Sequence, residues 1–346
     1  MSKILLAILV LTLLVLPAEA LSITAPQVPQ ENRDMMPEHT ENLGQGLWEL
    51  LRDVLPQLRP DLAEALKVSA ALIAAAFIAS VLKSASDTIA HTAKLACIAC
   101  IGSVLFLSAN SMVRAGTKTI EEISAYGTLL LPVMASAAAA QGRVTASAAL
   151  YAGTAVCNAV ISRFLSRVLV PAVYLFLALA VADGIGAEHN LKKIKKLLKN
   201  SVIWILKTAL TIYVSYMGIT GIVSSTTDAA VLKTTRTAIS AAVPVVGGIL
   251  ANASETVLSS AAVVKSAAGL YGIFAILAIF LAPFLKIWVH YVILRLTEAI
   301  CGMLDEKGVS ELVGDFSEGM GLILAMTASV CFLQLISTVC FLKGAG

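Results

Sequence analysis

Apolar positions fall along this chain in long blocks, and the blocks set its architecture. After a polar opening stretch, apolar runs recur at 66–84, 95–113, 124–142, 144–162, 165–183, 201–223, 266–288 and 319–342. A helix needs about 20 such residues to cross the hydrocarbon core of a bilayer. The last run is the clearest, with no charged residue anywhere in 319–342. These runs are too long and too uniform for barrel strands, and a helix satisfies its own backbone in lipid. The expected fold is therefore an all-α polytopic membrane protein with about eight transmembrane helices. The stretch 124–162 reads either as two short spans or as one span plus a surface helix. Its one charge, Arg143 beside Gly142, suits a tight hairpin.

The N-terminus has a different pattern. Lys3 is followed by an apolar run over 4–16, broken only by Thr12, and then by Ala18-Glu19-Ala20. This is the anatomy of a secretory signal peptide, residues 1–20, cleaved after Ala20. The run is short for a span. Cleavage would leave the mature N-terminus outside the cytoplasm. Residues 21–65 then form an extracytoplasmic polar segment ahead of the membrane domain, 66–346. Residues 22–42 are rich in Pro, Gln, Glu and Asn and read as disordered. Leu43, Leu47, Leu50, Leu51, Val54, Leu55 and Leu58 recur at helical spacing and predict one face of an amphipathic helix, kinked or ended by Pro56. That helix either lies on the bilayer or bundle, or docks an extracytoplasmic partner.

One apolar stretch breaks the helical rule. Residues 237–254 carry no charge, yet contain Pro244 and the pair Gly247 and Gly248. Proline removes a helix donor and paired glycines loosen the backbone. The stretch 237–264 thus reads as a broken or re-entrant segment shielded by protein, with Pro244, Gly247 and Gly248 as structural or gating candidates. A kinked span or surface hairpin fits equally well. Elsewhere, Ala135 with Ala139, Ala148 with Ala152, and Ala155 with Ala159 give small faces that allow close helix approach.

Composition agrees with the pattern. The chain has 346 residues, of which 58% are hydrophobic and 14% charged, where soluble domains carry about 25% charge. Its mean hydropathy is +0.87. This argues against a soluble enzyme, and a net charge of +3 gives no basic surface for nucleic acid. Six cysteines are too sparse for a disulfide framework. Cys97 and Cys100 are formally C-x-x-C, but they sit in an apolar run without a second ligand pair and read as packing residues.

Charge placement sets orientation. Summed over an eight-span arrangement, Lys and Arg show only a weak bias, and Lys192, Lys193, Lys195, Lys196 and Lys199 decide it. Five lysines in one short loop favour the cytoplasm. With Leu191, Ile194, Leu197 and Leu198 between them, they form a basic amphipathic segment. It fixes topology and meets anionic lipid, or it docks a cytoplasmic partner. Intramembrane charges are the default functional suspects. Lys207 is near enough to a span end to snorkel. Lys286 and His290 share a helix face, and Arg295 and Glu298 are placed to pair. These four read as an interfacial helix or as polar lining of a path. Asp183 and Asp228 lie at or beyond span edges, which weakens an ion-coupled transporter. No phosphate loop, nucleophile elbow or metal-ligand spacing is present, so no catalytic residue, cofactor or metal is expected.

Several residue runs together resemble a known family. They are Thr235-Arg236-Thr237-Ala238-Ile239, Val243-Pro244-Val245-Val246-Gly247-Gly248, and Ser254-Glu255-Thr256-Val257-Leu258-Ser259-Ser260. Lys265, the Gly269 and Gly272 span start and Ala282-Pro283-Phe284-Leu285-Lys286 follow, and Leu131-Pro132-Val133-Met134, Gly142 and Val144-Thr145 precede. In order and spacing, about 120–346 resembles the stage III sporulation protein AE family. The resemblance implies a non-enzymatic membrane subunit of a secretion-like channel between mother cell and forespore, needed for endospore formation. It implies residence in the mother-cell membrane around the forespore. The implied partners are other stage III sporulation membrane proteins, a cytoplasmic secretion-type ATPase and forespore stage II protein Q. The reading from a different class is a small-solute membrane permease.

Overall fold

The computed structural model describes residues 26–37, 43–82, 87–140, 144–186, 189–219, 267–304 and 307–343. No β-strand occurs among them. A 3-10 helix, Gln30–Met35, precedes helices α1 (Leu43–Leu82) and α2 (Asp87–Ala140). Then come α3 (Val144–Phe164), a π-helical turn (Leu165–Leu169), α4 (Val170–Ile185), α5 (His189–Ile219), α6 (Ala267–Met303) and α7 (Lys307–Lys343). Residues 1–20, with the expected signal peptide, and 237–264, with the expected broken segment, lie outside the described residues.

The helices are longer and fewer than the apolar blocks. Six stretches are long and apolar enough to cross a membrane among the described residues. The predicted spans 95–113 and 124–142 are one helix, α2, of 54 residues. At 1.5 Å per residue it is about 80 Å long, against about 30 Å of bilayer hydrocarbon. The predicted spans 144–162 and 165–183 likewise run on through α3, the π-turn and α4. Hydropathy breaks where charge clusters, at Arg114, Lys118, Glu121 and Glu122 and at Arg163 and Arg167, but the backbone does not. Arg114, Lys118, Glu121, Arg163 and Arg167 are exposed on the outer sides of continuous helices. A hydrogen bond between Ser124 and Ser162 lies beyond one end of this stretch. The Tyr174 hydroxyl, donating to Asn110 Oδ1 at 2.8 Å, lies beyond the other, so the two charged sets sit side by side at mid-height. The π-turn falls just before Pro171, whose missing N–H would leave a gap in a regular α ladder.

Similarly, α1 joins the amphipathic segment to the predicted span 66–84. Pro56 and Pro60 lie inside it and neither ends it. Its apolar residues do not share a single face: Leu50 and Val54 are buried, whereas Leu47 and Leu55 are exposed.

The helices form hairpins that turn at one end of the bundle. Cys97 Sγ meets Ala75 O between α1 and α2, Lys195 meets Asp183 between α4 and α5, and Ser310 donates to Glu298 O between α6 and α7. Ser80 donates to Leu304 O across the first and third of these hairpins. Helix α7 is the hub: 94% of its most apolar stretch is buried by other helices. Close approach to α2 depends on glycine. A Cβ at Gly116 would overlap the Ile323 methyl, and one at Gly127 would overlap the Gln334 amide. Polar side chains in this apolar interior tie helices to one another. Ser69 and Thr297 hydroxyls meet at 2.6 Å between α1 and α6, and the Tyr213 hydroxyl bonds Ser337 and Leu333 O between α5 and α7.

Candidate functional site

The densest charge in the described residues lies at the hairpin end, where α4, α5, α6 and α7 meet. The helical period splits the five lysines of α5. Lys192, Lys195 and Lys199 recur at steps of three and four and share a face. On α7, Glu311, Asp315 and Glu318 recur at steps of four and three. The two faces meet as rungs of a ladder. Lys192 Nζ lies 2.6 Å from Glu311 Oε2, Lys195 pairs with Asp315, and Lys199 pairs with Glu318. Asp183 at the end of α4 joins the middle rung, with Oδ2 2.9 Å from Lys195 Nζ.

Burial ranks the rungs. The outer pair, Lys192 with Glu311, is more than half exposed, and an exposed pair contributes about 0–1 kcal/mol. The Asp183 side chain is only 5% exposed and Lys195 12%. There the Coulombic gain must offset desolvation of three charges, so removing one partner costs more than the pair contributes. Lys193 and Lys196 point away from the ladder and are exposed. Three lysines of the basic segment thus pair α5 with α7, while Lys193 and Lys196 stay exposed.

The four membrane-edge candidates fall on α6 but do not form one lining. Arg295 Nη1 donates to Glu298 Oε2 at 2.9 Å, and its guanidinium sits 5.7 Å from the centre of the Tyr291 ring. Glu298 reaches the ladder: with Lys192, Lys195, Glu311, Gly314, Asp315 and Glu318 it lines a cleft of about 250 Å³. Lys286 instead pairs with Asp61 of α1 at 2.6 Å. His290 is buried, with Nδ1 3.0 Å from Lys286 O. As the carbonyl can only accept, Nδ1 carries the proton there, and Nε2 is left without a partner. Pro244, Gly247 and Gly248 lie outside the described residues.

Chemically, this arrangement is an electrostatic clamp. Five carboxylates (Asp183, Glu298, Glu311, Asp315, Glu318) face four cations (Lys192, Lys195, Lys199, Arg295) across two hairpins, α4–α5 and α6–α7. Among the described residues no group of three or more His, Cys, Asp or Glu could hold a metal ion. None of Cys97, Cys100, Cys157, Cys301, Cys331 and Cys340 is in a disulfide, and the last three are buried. The sequence reading singled out the lysines and missed their partners. The one available signal was the matching three-and-four spacing of Glu311, Asp315 and Glu318, and nothing local ties it to α5 about 120 residues earlier.

Comparison with known proteins adds the following. A family model described as stage III sporulation protein AE matches residues 32–345. A curated relative, the stage III sporulation protein AE of Bacillus subtilis (strain 168), is 22% identical over 237 residues. The match takes in 68% of this chain and 59% of the relative, so the chain spans about three fifths of that protein's length. No solved structure matches.

Proposed function

The chain belongs to the stage III sporulation protein AE family, and from that premise we propose a membrane subunit of the channel apparatus joining mother cell and forespore. Membership implies a role in sporulation, and the six long apolar helices are those of a helical membrane protein. The finer reading is a non-enzymatic subunit in the mother-cell membrane around the forespore. It works with other stage III sporulation membrane proteins, a cytoplasmic secretion-type ATPase and forespore stage II protein Q.

The observation that supports this best is how the polar groups are used. The ladder, the Lys286–Asp61 pair and the buried Ser69–Thr297 and Tyr213–Ser337 bonds all join one helix to another. A scaffold that must hold its shape inside an assembly needs such ties. Orientation follows if the N-terminus is outside. The hairpin end, with Lys192, Lys193, Lys195, Lys196 and Lys199, then faces the mother-cell cytoplasm, in keeping with the positive-inside tendency. The ATPase would approach from that side, where Lys193 and Lys196 are exposed.

The test is deletion of the gene in its spore-forming host, with imaging of starved cells through engulfment. Arrest after engulfment, with silent late forespore reporters, is expected. Normal spores together with an uptake defect in growing cells would overturn the reading and favour a small-solute permease.

A further inference from the structure

Helix α1 has two apolar faces, and only one is covered. Leu50, Val54 and Ala65 are buried, and Asp61 on that side pairs with Lys286 of α6. On another side run Trp48, Arg52, Leu55, Arg59, Leu62 and Leu66, all exposed. Their spacing alternates four, three, four, three, four, which is the 3.5-residue period of a coiled-coil seam. Trp48 is 68% exposed and Leu55 57%, so the seam has no partner among the described residues. A notch lined by Gly44, Gln45, Trp48 and Glu49 opens at its N-terminal end.

The seam's chemistry selects among possible occupants. Bilayer hydrocarbon fits poorly: Arg52 and Arg59 lie in the stripe itself, at about 2.5–3.5 kcal/mol each near the centre of a membrane. Pro56 and Pro60 also lack the N–H groups that would bond the carbonyls of Arg52 and Pro56. Free carbonyls are costly in lipid. A second copy fits poorly too. Copies inserted the same way round run this helix parallel, and pairing seam to seam would set arginine against arginine. The chain's own residues 220–266 offer Asp228 and Glu255 as their sole carboxylates, 27 positions apart, whereas Arg52 and Arg59 are seven apart.

We propose that this seam of α1 docks an amphipathic helix of another protein, which presents an apolar stripe with carboxylates at seven-residue spacing opposite Arg52 and Arg59. The apolar positions supply burial and the arginines set register and partner choice. The inference rests on α1 alone and is independent of the channel reading. A normal sporulation phenotype would leave it intact, and its failure would leave the channel reading intact.

The experiment uses the full chain in nanodiscs of zwitterionic lipid and two synthetic helices with leucines at alternating three-and-four spacing. One helix carries Glu at every seventh position and the other Lys. Binding is followed by Trp48 emission in a Trp204→Phe/Trp288→Phe protein, and by surface capture with the unaltered protein should that variant fold poorly. The Glu helix is expected to bind saturably and at least about tenfold tighter than the Lys helix, the factor of one good charge-assisted contact. Arg52→Glu/Arg59→Glu should reverse the preference without changing the melting temperature, because both side chains are exposed. Equal binding of the two helices, or none, would overturn the proposal. So would strong quenching of Trp48 by lipids brominated along the acyl chain, which would show the bilayer on the seam. Disulfide formation between copies of a Leu55→Cys protein would show a second copy there.

Discussion

Helices α7 and α1 present nearly the same apolar signal and meet opposite fates. By length and hydropathy both qualify to cross a membrane, yet 94% of the key stretch of α7 is buried by protein and 28% of that of α1. Residues 319–342 of α7 carry no charge, yet of these stretches that of α7 has the least surface left for lipid. Apolarity reports that a segment avoids water; which neighbour replaces the water depends on the other helices. Glycines at 116 and 127 let α2 close over α7, and the ladder of α5 clamps its charged end. Helix α1 packs on α6 and, near its C-terminal end, on α2, and leaves another side open among the described residues.

This contrast can be broken from the hub side first. Lys195→Met removes the cation between Asp183 and Asp315 and should destabilise the bundle by about 3–5 kcal/mol, the cost of leaving buried charge unpaired. Loss of soluble monodisperse protein after detergent extraction is the readout. Gly116→Leu comes next, at about 2–3 kcal/mol, since its first side-chain carbon already overlaps Ile323. A fall in the melting temperature of detergent-solubilised protein would record it.

Moving outward to the shared face of α1, Lys286→Met leaves the largely buried Asp61 carboxylate without its cation and should cost about 1–2 kcal/mol, seen as a smaller fall in the same melting temperature. On the open face, Leu55→Ser should change stability by no more than about 0.5 kcal/mol. A large loss at Leu55 would show that the open face is covered within the folded chain and would erase the contrast.

Much of the helical content was legible in the sequence, because long apolar runs leave little alternative. Within the candidate site, the Arg295–Glu298 pair was legible too, being three residues apart on one helix. The continuity of α2 was not, since Arg114, Lys118 and Glu121 interrupt hydropathy without interrupting the backbone of a helix that keeps them on its outer side. Nor was the fusion of 43–65 with 66–82: Pro56 and Pro60 carry a breaking signal that neighbouring turns and packing on α6 override. Pairings such as Lys195 with Asp315 and Lys286 with Asp61 are distant in sequence, and periodicity speaks only to faces, not to which faces meet.

The ladder is the clamp that holds α5 to the hub in this member of the stage III sporulation protein AE family. Charge exchange at one rung tests it directly, with protein level by immunoblot and spore yield read from the same cells. Lys199→Glu and Glu318→Lys should each lower both, and the double exchange should restore both towards the unaltered strain. Normal spore yield in each single variant, or a double variant no better than the singles, would contradict the account.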